Sequence, residues 1–156
     1  MTLVVDHTER LKAIDPEESF IVSAPAGSGK TGLITQRILC LLGTVNHPEE
    51  ILSITFTRKA AAEMAARVHS ALQTAANEPR PENQYEAQTW DFAQKALQQD
   101  QNLNWNLLDM PNRLRIQTID SFCRYIARQF SLETKLGDLS EPSDQPEVHY
   151  QSASRS

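Results

Sequence analysis

Apolar positions along the chain fall into two alternating periods. Residues 7–14 carry a short helical pattern that ends near Asp15-Pro16. Ser19–Ala24, with the run Phe20-Ile21-Val22, predicts a buried strand. Lys30–Leu42 has Leu33, Ile34, Ile38, Leu41 and Leu42 at helical spacing, with Gly43 placed as a C-cap. Glu50–Phe56 is nearly continuous in apolar character (Ile51, Leu52, Ile54, Phe56) and predicts a strand of a parallel sheet covered on both faces. Arg58–Ala75 predicts a helix: seven alanines, no glycine or proline, and a stripe through Ala61, Met64, Ala65, Val68 and Leu72. A polar, proline-containing loop (77–84) precedes a helix over Tyr85–Gln99. A further turn or two of helix is expected in Asn102–Met110, broken at Pro111-Asn112. Leu114–Thr118 predicts a third strand and Ile119–Phe130 an amphipathic helix. Strands alternating with helices predict an α/β fold, its parallel sheet built by right-handed crossovers. From about Gly137 onward Ser, Glu, Pro, Asp and Gln dominate, so 1–136 is expected to form the domain. Residues 137–156 read as a disordered tail or the start of a further segment.

At 156 residues and 40% hydrophobic content the chain can bury a real core. A formal net charge of −5 argues against a nonspecific polyanion binder and leaves room for local basic faces. Cys40 and Cys123 both sit in apolar helical patterns, without metal-ligand spacing, and are expected to be buried, reduced thiols. The N-terminus has no signal-peptide layout, and no apolar stretch approaches the ~20 residues a membrane span requires. A soluble, cytoplasmic protein is expected.

Residues 24–31 read Ala24-Pro25-Ala26-Gly27-Ser28-Gly29-Lys30-Thr31, between a predicted strand and a predicted helix. That is the context of a phosphate-binding loop. Triphosphate oxygens need several N–H donors converging on a small volume. Gly27 and Gly29 let the backbone turn and approach closely. The following helix offers its free N–H groups and positive dipole end. Lys30 supplies a mobile cation for the β- and γ-phosphates, and the Thr31 hydroxyl suits Mg²⁺. ATP and Mg²⁺ are therefore the expected cofactors. The common pattern opens with Gly six residues before the Lys; here that position is Ala24.

Two further segments end predicted strands. Thr55-Phe56-Thr57-Arg58-Lys59 places hydroxyls and cations where a helix opens, an arrangement that can hold a phosphodiester backbone. Thr118 and Ser121 repeat the idea, with Arg113, Arg115, Arg124 and Arg128 outnumbering Asp120, and with Phe122 and Tyr125 as faces for base stacking. The plainer readings are that Thr57 caps a helix and that both aromatics are core residues.

Together, residues 24–31, Ile54–Met64 and Arg115–Cys123 resemble the first motifs of superfamily 1 DNA helicases of the UvrD/Rep type, closest to the AddA/RecB-like helicase–nuclease branch. The resemblance covers about residues 10–135. It implies a P-loop NTPase (RecA-like) parallel sheet, forming an incomplete first motor domain. It implies ATP·Mg²⁺ on residues 24–31, with Lys30 on the phosphates and Thr31 on the metal. It places Thr55, Thr57, Arg58, Lys59, Thr118, Ser121 and Phe122 on single-stranded DNA. Family members couple ATP hydrolysis to 3′-to-5′ translocation and unwinding in DNA repair and recombination. The branch also implies a nuclease or helicase partner subunit.

Several departures shape the reading. Glu9 stands where UvrD-type proteins carry an adenine-reading Gln, about 21 residues before the motif I Lys. Asp120 replaces a His, and about forty residues (75–114) separate the second motif from the third; both favour the AddA/RecB-like branch. Family members run several times longer. No acidic residue here follows an apolar strand in the manner of motif II, and the later γ-phosphate-sensing Gln and Arg residues are absent. The expectation is an N-terminal portion of a helicase that binds ATP weakly, contacts single-stranded DNA weakly and hydrolyses little by itself. A nonenzymatic regulatory or decoy nucleotide-binding module, and a small P-loop NTPase or kinase, are the alternatives.

Overall fold

The computed structural model describes residues 7–25 and 27–130. They form helix α1 (His7–Ile14), α2 (Lys30–Leu42), strand β1 (Leu52–Thr55), α3 (Arg58–Asn77), α4 (Gln84–Leu103), β2 (Arg115–Thr118) and α5 (Ile119–Gln129). Short 3₁₀ turns, Pro48–Glu50 and Pro111–Arg113, lead into the two strands. The chain divides into two compact units, residues 1–119 and 120–156.

The helices begin and end where local chemistry dictates. Thr57 accepts from the Ala60 N–H at 3.1 Å and caps α3. The Asn83 side chain accepts from the N–H groups of Tyr85 and Glu86 and caps α4. At the far end of α4, Asn104 adopts φ 54°, a left-handed position that Asn tolerates better than most residues. The α2 helix stops at Gly43, whose N–H donates to the Cys40 carbonyl at 3.1 Å, while the Thr44 N–H takes that of Leu41 at 2.9 Å.

The core of the first unit lies between α2, α3 and α4. Leu39, Leu42, Val68, Leu72, Ala93, Ala96, Trp105 and Leu107 belong to one buried cluster. Small residues on α4 let the helices approach, while the large side chains fill the space between them. Trp105 is buried, and its indole N–H donates to the Asn46 carbonyl at 3.0 Å, so its polar edge is satisfied. Strands β1 and β2 pair in parallel, with Leu52 opposite Arg115, Ser53 opposite Ile116, Ile54 opposite Gln117 and Thr55 opposite Thr118. Ile116 packs on the core, and α3 lies against the sheet.

Four expectations need correction. Ser19–Ala24 is not a strand: among the described residues the sheet has two strands, and Ile21 is 99% exposed. A strand exists only with a ladder partner, and this segment has none among the described residues. Arg37 of α2 donates to the carbonyls of Ala13, Asp15 and Glu18 just before the segment and sits 5.7 Å over the Phe20 ring within it. Secondly, the sheet is not covered on both faces. Leu52 and Ile54 alternate outward and are exposed, and Phe56 beyond them is 86% exposed. Thirdly, residues 104–110 do not form a further helix, because Asn104 and Asn106 (φ 59°) turn the chain so that Trp105 and Leu107 fold back into the core. Fourthly, Cys123 is exposed and Cys40 only half-buried. Both are free thiols, and burial pushes the Cys40 thiol up from its ordinary pKa. The compositional change expected at 137–156 lies outside the described residues. No helix among the described residues is long and apolar enough to cross a membrane.

The second unit contributes the rest of α5. Asp120, Ser121, Arg124 and Arg128 are exposed, Phe122 is half-buried, and Tyr125 and Ile126 are exposed at its surface.

Candidate functional site

The loop between Phe20 and α2 carries its chemistry in the main chain. Gly27 has φ +78° and Gly29 φ +81°. Both are left-handed conformations in which a Cβ costs about 1–2 kcal/mol, so this turn selects glycine twice in three residues. Gly29 is also the N-cap of α2, without a side-chain cap. The first intrahelical bond runs from the Leu33 N–H to the Gly29 carbonyl at 3.1 Å. The N–H groups of Lys30, Thr31 and Gly32 precede that bond and are the donors an anion would take.

Lys30 and Thr31 open α2. The Lys30 ammonium donates to the carbonyls of Ala24, at 2.6 Å, and Pro25. It thus folds back over its own loop, and any phosphate oxygen arriving there would have to compete with these two carbonyls. Thr31 is exposed; its carbonyl accepts from the Thr35 hydroxyl at 2.9 Å. Ala24 is half-buried and Pro25 exposed, while Ala26 lies outside the described residues. Beside the loop is a cavity of about 310 Å³ whose walls include Glu9, Arg10, Phe20, Ala24, Ser28 and Lys30. That is the lower end of the ~300–1,000 Å³ range of small-molecule sites. Glu9 stands at this wall, 3.8 Å from Lys12, with both side chains mostly in solvent.

The residues present fit a nucleotide triphosphate with magnesium. They offer main-chain donors at a glycine-shaped turn, a cation on the loop and one hydroxyl ligand. Mg²⁺ ordinarily keeps several waters and takes phosphate oxygens, so a single protein hydroxyl suffices for its first contact. No cluster of three or more His, Cys, Asp or Glu suited to a metal exists among the described residues.

Of the residues expected on nucleic acid, the structure brings four together in sequence at one strand end. Thr55 closes β1, Thr57 caps α3, and Arg58 and Lys59 are exposed in its first turn. Lys59 approaches Glu63 only to 4.0 Å, with its side chain 88% exposed, so its charge is available. Thr118 joins them as the register partner of Thr55, but it is buried at 5% exposure. Ser121 and Phe122 lie on α5 in the second unit. Arg113, grouped by sequence with the basic residues of this region, is engaged elsewhere. It donates to both carboxylate oxygens of Glu49 (2.7 and 3.2 Å) and to the Trp105 carbonyl.

Three neighbours of the loop carry no motif signal and emerge only from the fold. Arg10 on α1 donates to the Ser28 carbonyl at 2.6 Å. Arg37 ties the chain before the loop to α2. Tyr85 of α4 packs so closely on Gly32 that a Cβ there would meet its hydroxyl. That close approach explains a glycine inside a helix, where it costs about 1 kcal/mol relative to alanine. Gln36 strengthens the same contact by donating to the Thr89 hydroxyl at 2.9 Å.

Known proteins resemble this sequence. The family model of the UvrD/REP helicase N-terminal domain matches residues 6–151. The chain is similar to the A subunit of the ATP-dependent helicase/nuclease of Clostridioides difficile, 35% identical over 119 residues, covering 74% of this chain and 8% of that protein. It is similar to the same protein of Lactobacillus acidophilus, 32% identical over 129 residues (82% and 9%). With that of Desulforamulus reducens it is 31% identical over 144 residues (90% and 10%). The chain thus spans no more than a tenth of the length of these relatives. No solved structure matches it.

Proposed function

The chain belongs to the UvrD/REP helicase family, matched through that family's N-terminal domain, and on that premise we propose that it forms the nucleotide-binding part of an ATP-dependent DNA helicase motor. In this reading the fold is part of a RecA-like P-loop domain. The amides of residues 27–31 and the Lys30 ammonium hold the β- and γ-phosphates, and Thr31 holds Mg²⁺. Thr55, Thr57, Arg58, Lys59, Thr118, Ser121 and Phe122 face single-stranded DNA. The motor moves 3′-to-5′ in DNA repair or recombination, in the cytoplasm, and works with a partner protein. The observation that carries the reading is the pair of left-handed glycines opening directly onto Lys30 at the N-terminus of α2.

Within these 156 residues the hydrolytic set is partial. Glu63 lies inside α3, and Asp120 follows a strand that Arg115 and Gln117 make half polar. Phosphoryl transfer needs the metal-holding acid, the water-positioning group and the γ-phosphate sensors together. Residues 1–156 alone therefore bind ATP·Mg²⁺ and turn it over little.

Calorimetry with ATP and Mg²⁺ tests the reading. The expected result is a heat of binding that Lys30→Ala abolishes while circular dichroism shows both proteins folded. No heat from the folded wild-type chain, or equal heat from Lys30→Ala, overturns it. A turnover rate for residues 1–156 near that of ordinary enzymes, about 10 s⁻¹, overturns the claim of partial machinery.

A further inference from the structure

We infer that Arg10 is a positioning residue of the phosphate loop: its guanidinium, presented by α1, locks the Ser28–Gly29 peptide so that the loop's amide cage is ordered before nucleotide arrives. This rests on the nucleotide-binding reading above and adds to it a residue that no loop motif contains.

The argument begins with the glycines. Ser28 is flanked by Gly27 and Gly29, both at positive φ. Peptide planes beside glycine rotate with little steric resistance, so an untethered loop would sample many amide orientations. Each orientation lost on binding costs entropy. The Ser28 carbonyl and the Gly29 N–H belong to one rigid peptide plane and point in opposite directions. Fixing the carbonyl therefore fixes the amide. Arg10 does this with a short bond, 2.6 Å from Nη2 to the Ser28 oxygen. Charged donors make the stronger hydrogen bonds.

Two further features support the assignment. A Cβ built on Gly29 would stand 3.4 Å from Arg10 Nη1, so the guanidinium lies within van der Waals reach of the peptide it holds. Arg10 and Lys30 both line the cavity beside the loop. The two cations nevertheless bond different carbonyls: Arg10 that of Ser28, and Lys30 those of Ala24 and Pro25. Lys30 can exchange its carbonyl partners for phosphate oxygens, while Arg10 keeps the loop's shape.

The test compares the wild-type chain with Arg10→Ala, Arg10→Lys and Lys30→Ala, using ATP·Mg²⁺, inorganic tripolyphosphate and adenosine as probes. Amide order at Gly27 and Gly29 is read in parallel by ¹⁵N relaxation without any ligand. Arg10→Ala is expected to weaken ATP·Mg²⁺ and tripolyphosphate alike, by about tenfold to a hundredfold, the range for losing a charged hydrogen bond. It also lowers the order of the Gly29 amide, and Arg10→Lys restores part of both. Unchanged tripolyphosphate affinity and unchanged Gly29 order in folded Arg10→Ala overturn the inference. So does a loss confined to adenosine and ATP, which would make Arg10 a base contact. Should Arg10→Ala not fold, Arg10→Lys and Arg10→Gln carry the same comparison. If the wild-type chain binds neither ATP nor tripolyphosphate, the nucleotide-binding reading fails; the relaxation data then still decide whether Arg10 orders the peptide.

Discussion

Arg113 and Glu49 meet across the entrance to the parallel sheet. The arginine donates from Nε at 2.7 Å and from Nη2 at 3.2 Å to the two carboxylate oxygens. Each residue belongs to the short 3₁₀ turn that feeds one strand, so the pair sets β1 and β2 side by side at their amino ends. The Arg113 hydrogen bonds hold the Glu49 carboxyl below its ordinary value of 4.5, against a smaller opposing effect of burial. A depressed folded-state pKa means that folding favours the ionised form. The stabilisation is complete above the ordinary carboxylate range and vanishes as pH falls through the folded value. Glu49→Gln is therefore expected to lower the melting temperature at pH 7, with the gap to wild type closing below about pH 4. Thermal melts from pH 3 to 7 check this; a gap independent of pH removes the ion pair's role.

The two left-handed glycines share a strained backbone and differ in their surroundings. Nothing lies within 4 Å of a Cβ on Gly27, whereas one on Gly29 meets Arg10. Gly27→Ala is expected to cost about 1 kcal/mol, from backbone strain alone. Gly29→Ala is expected to cost about the same, because its Cβ reaches the Arg10 guanidinium only at an ordinary contact distance of 3.4 Å. Urea unfolding of the two variants gives the comparison, and a clearly larger cost at Gly29 would show that the methyl displaces Arg10.

Trp105 belongs to the core cluster and is nearly inaccessible. Trp105→Ala should cost about 3–5 kcal/mol, enough to unfold a domain of ordinary stability. Trp105→Phe keeps most of the volume but strips the Asn46 carbonyl of its indole donor, and should cost about 1–3 kcal/mol. Chemical denaturation followed by far-UV dichroism distinguishes the two.

Arg58 and Lys59 are solvated and far from the nucleotide loop in sequence. Replacing either with Ala should leave stability within about 0.5 kcal/mol. Single-stranded DNA affinity should fall, with the salt slope shrinking by about 0.7 per cation removed. ATP·Mg²⁺ binding should be unchanged. Fluorescence anisotropy of a labelled oligonucleotide across a salt series measures the slope, and an unaltered slope would place DNA elsewhere.

Helices were the most legible part of the chain. The bounds of α1 and α2 follow from the apolar stripe and from residues 15–16 and 43, and α3 from Thr57 and its alanine run. These are local effects, settled within a few residues. Strands were harder. Residues 50–56 and 114–118 contain β1 and β2, each shorter than the segment expected for it. Residues 19–24 carry the same apolar signal without becoming a strand, because hydrophobicity marks a segment that favours burial and cannot supply the neighbour whose amides complete a ladder.

By itself, the sequence determined the order of helices, the parallel α/β plan and the glycine-shaped turn that opens α2, since propensity, capping and positive φ act at short range. Tertiary structure alone decided the rest. It assigned Arg113 to Glu49 instead of to phosphate, set Arg10 on the Ser28 carbonyl, seated Tyr85 over Gly32, and left Leu52 and Ile54 uncovered. Each of those outcomes depends on which distant segment arrives at a given side chain, and charge or apolar character in one dimension does not name its partner in three.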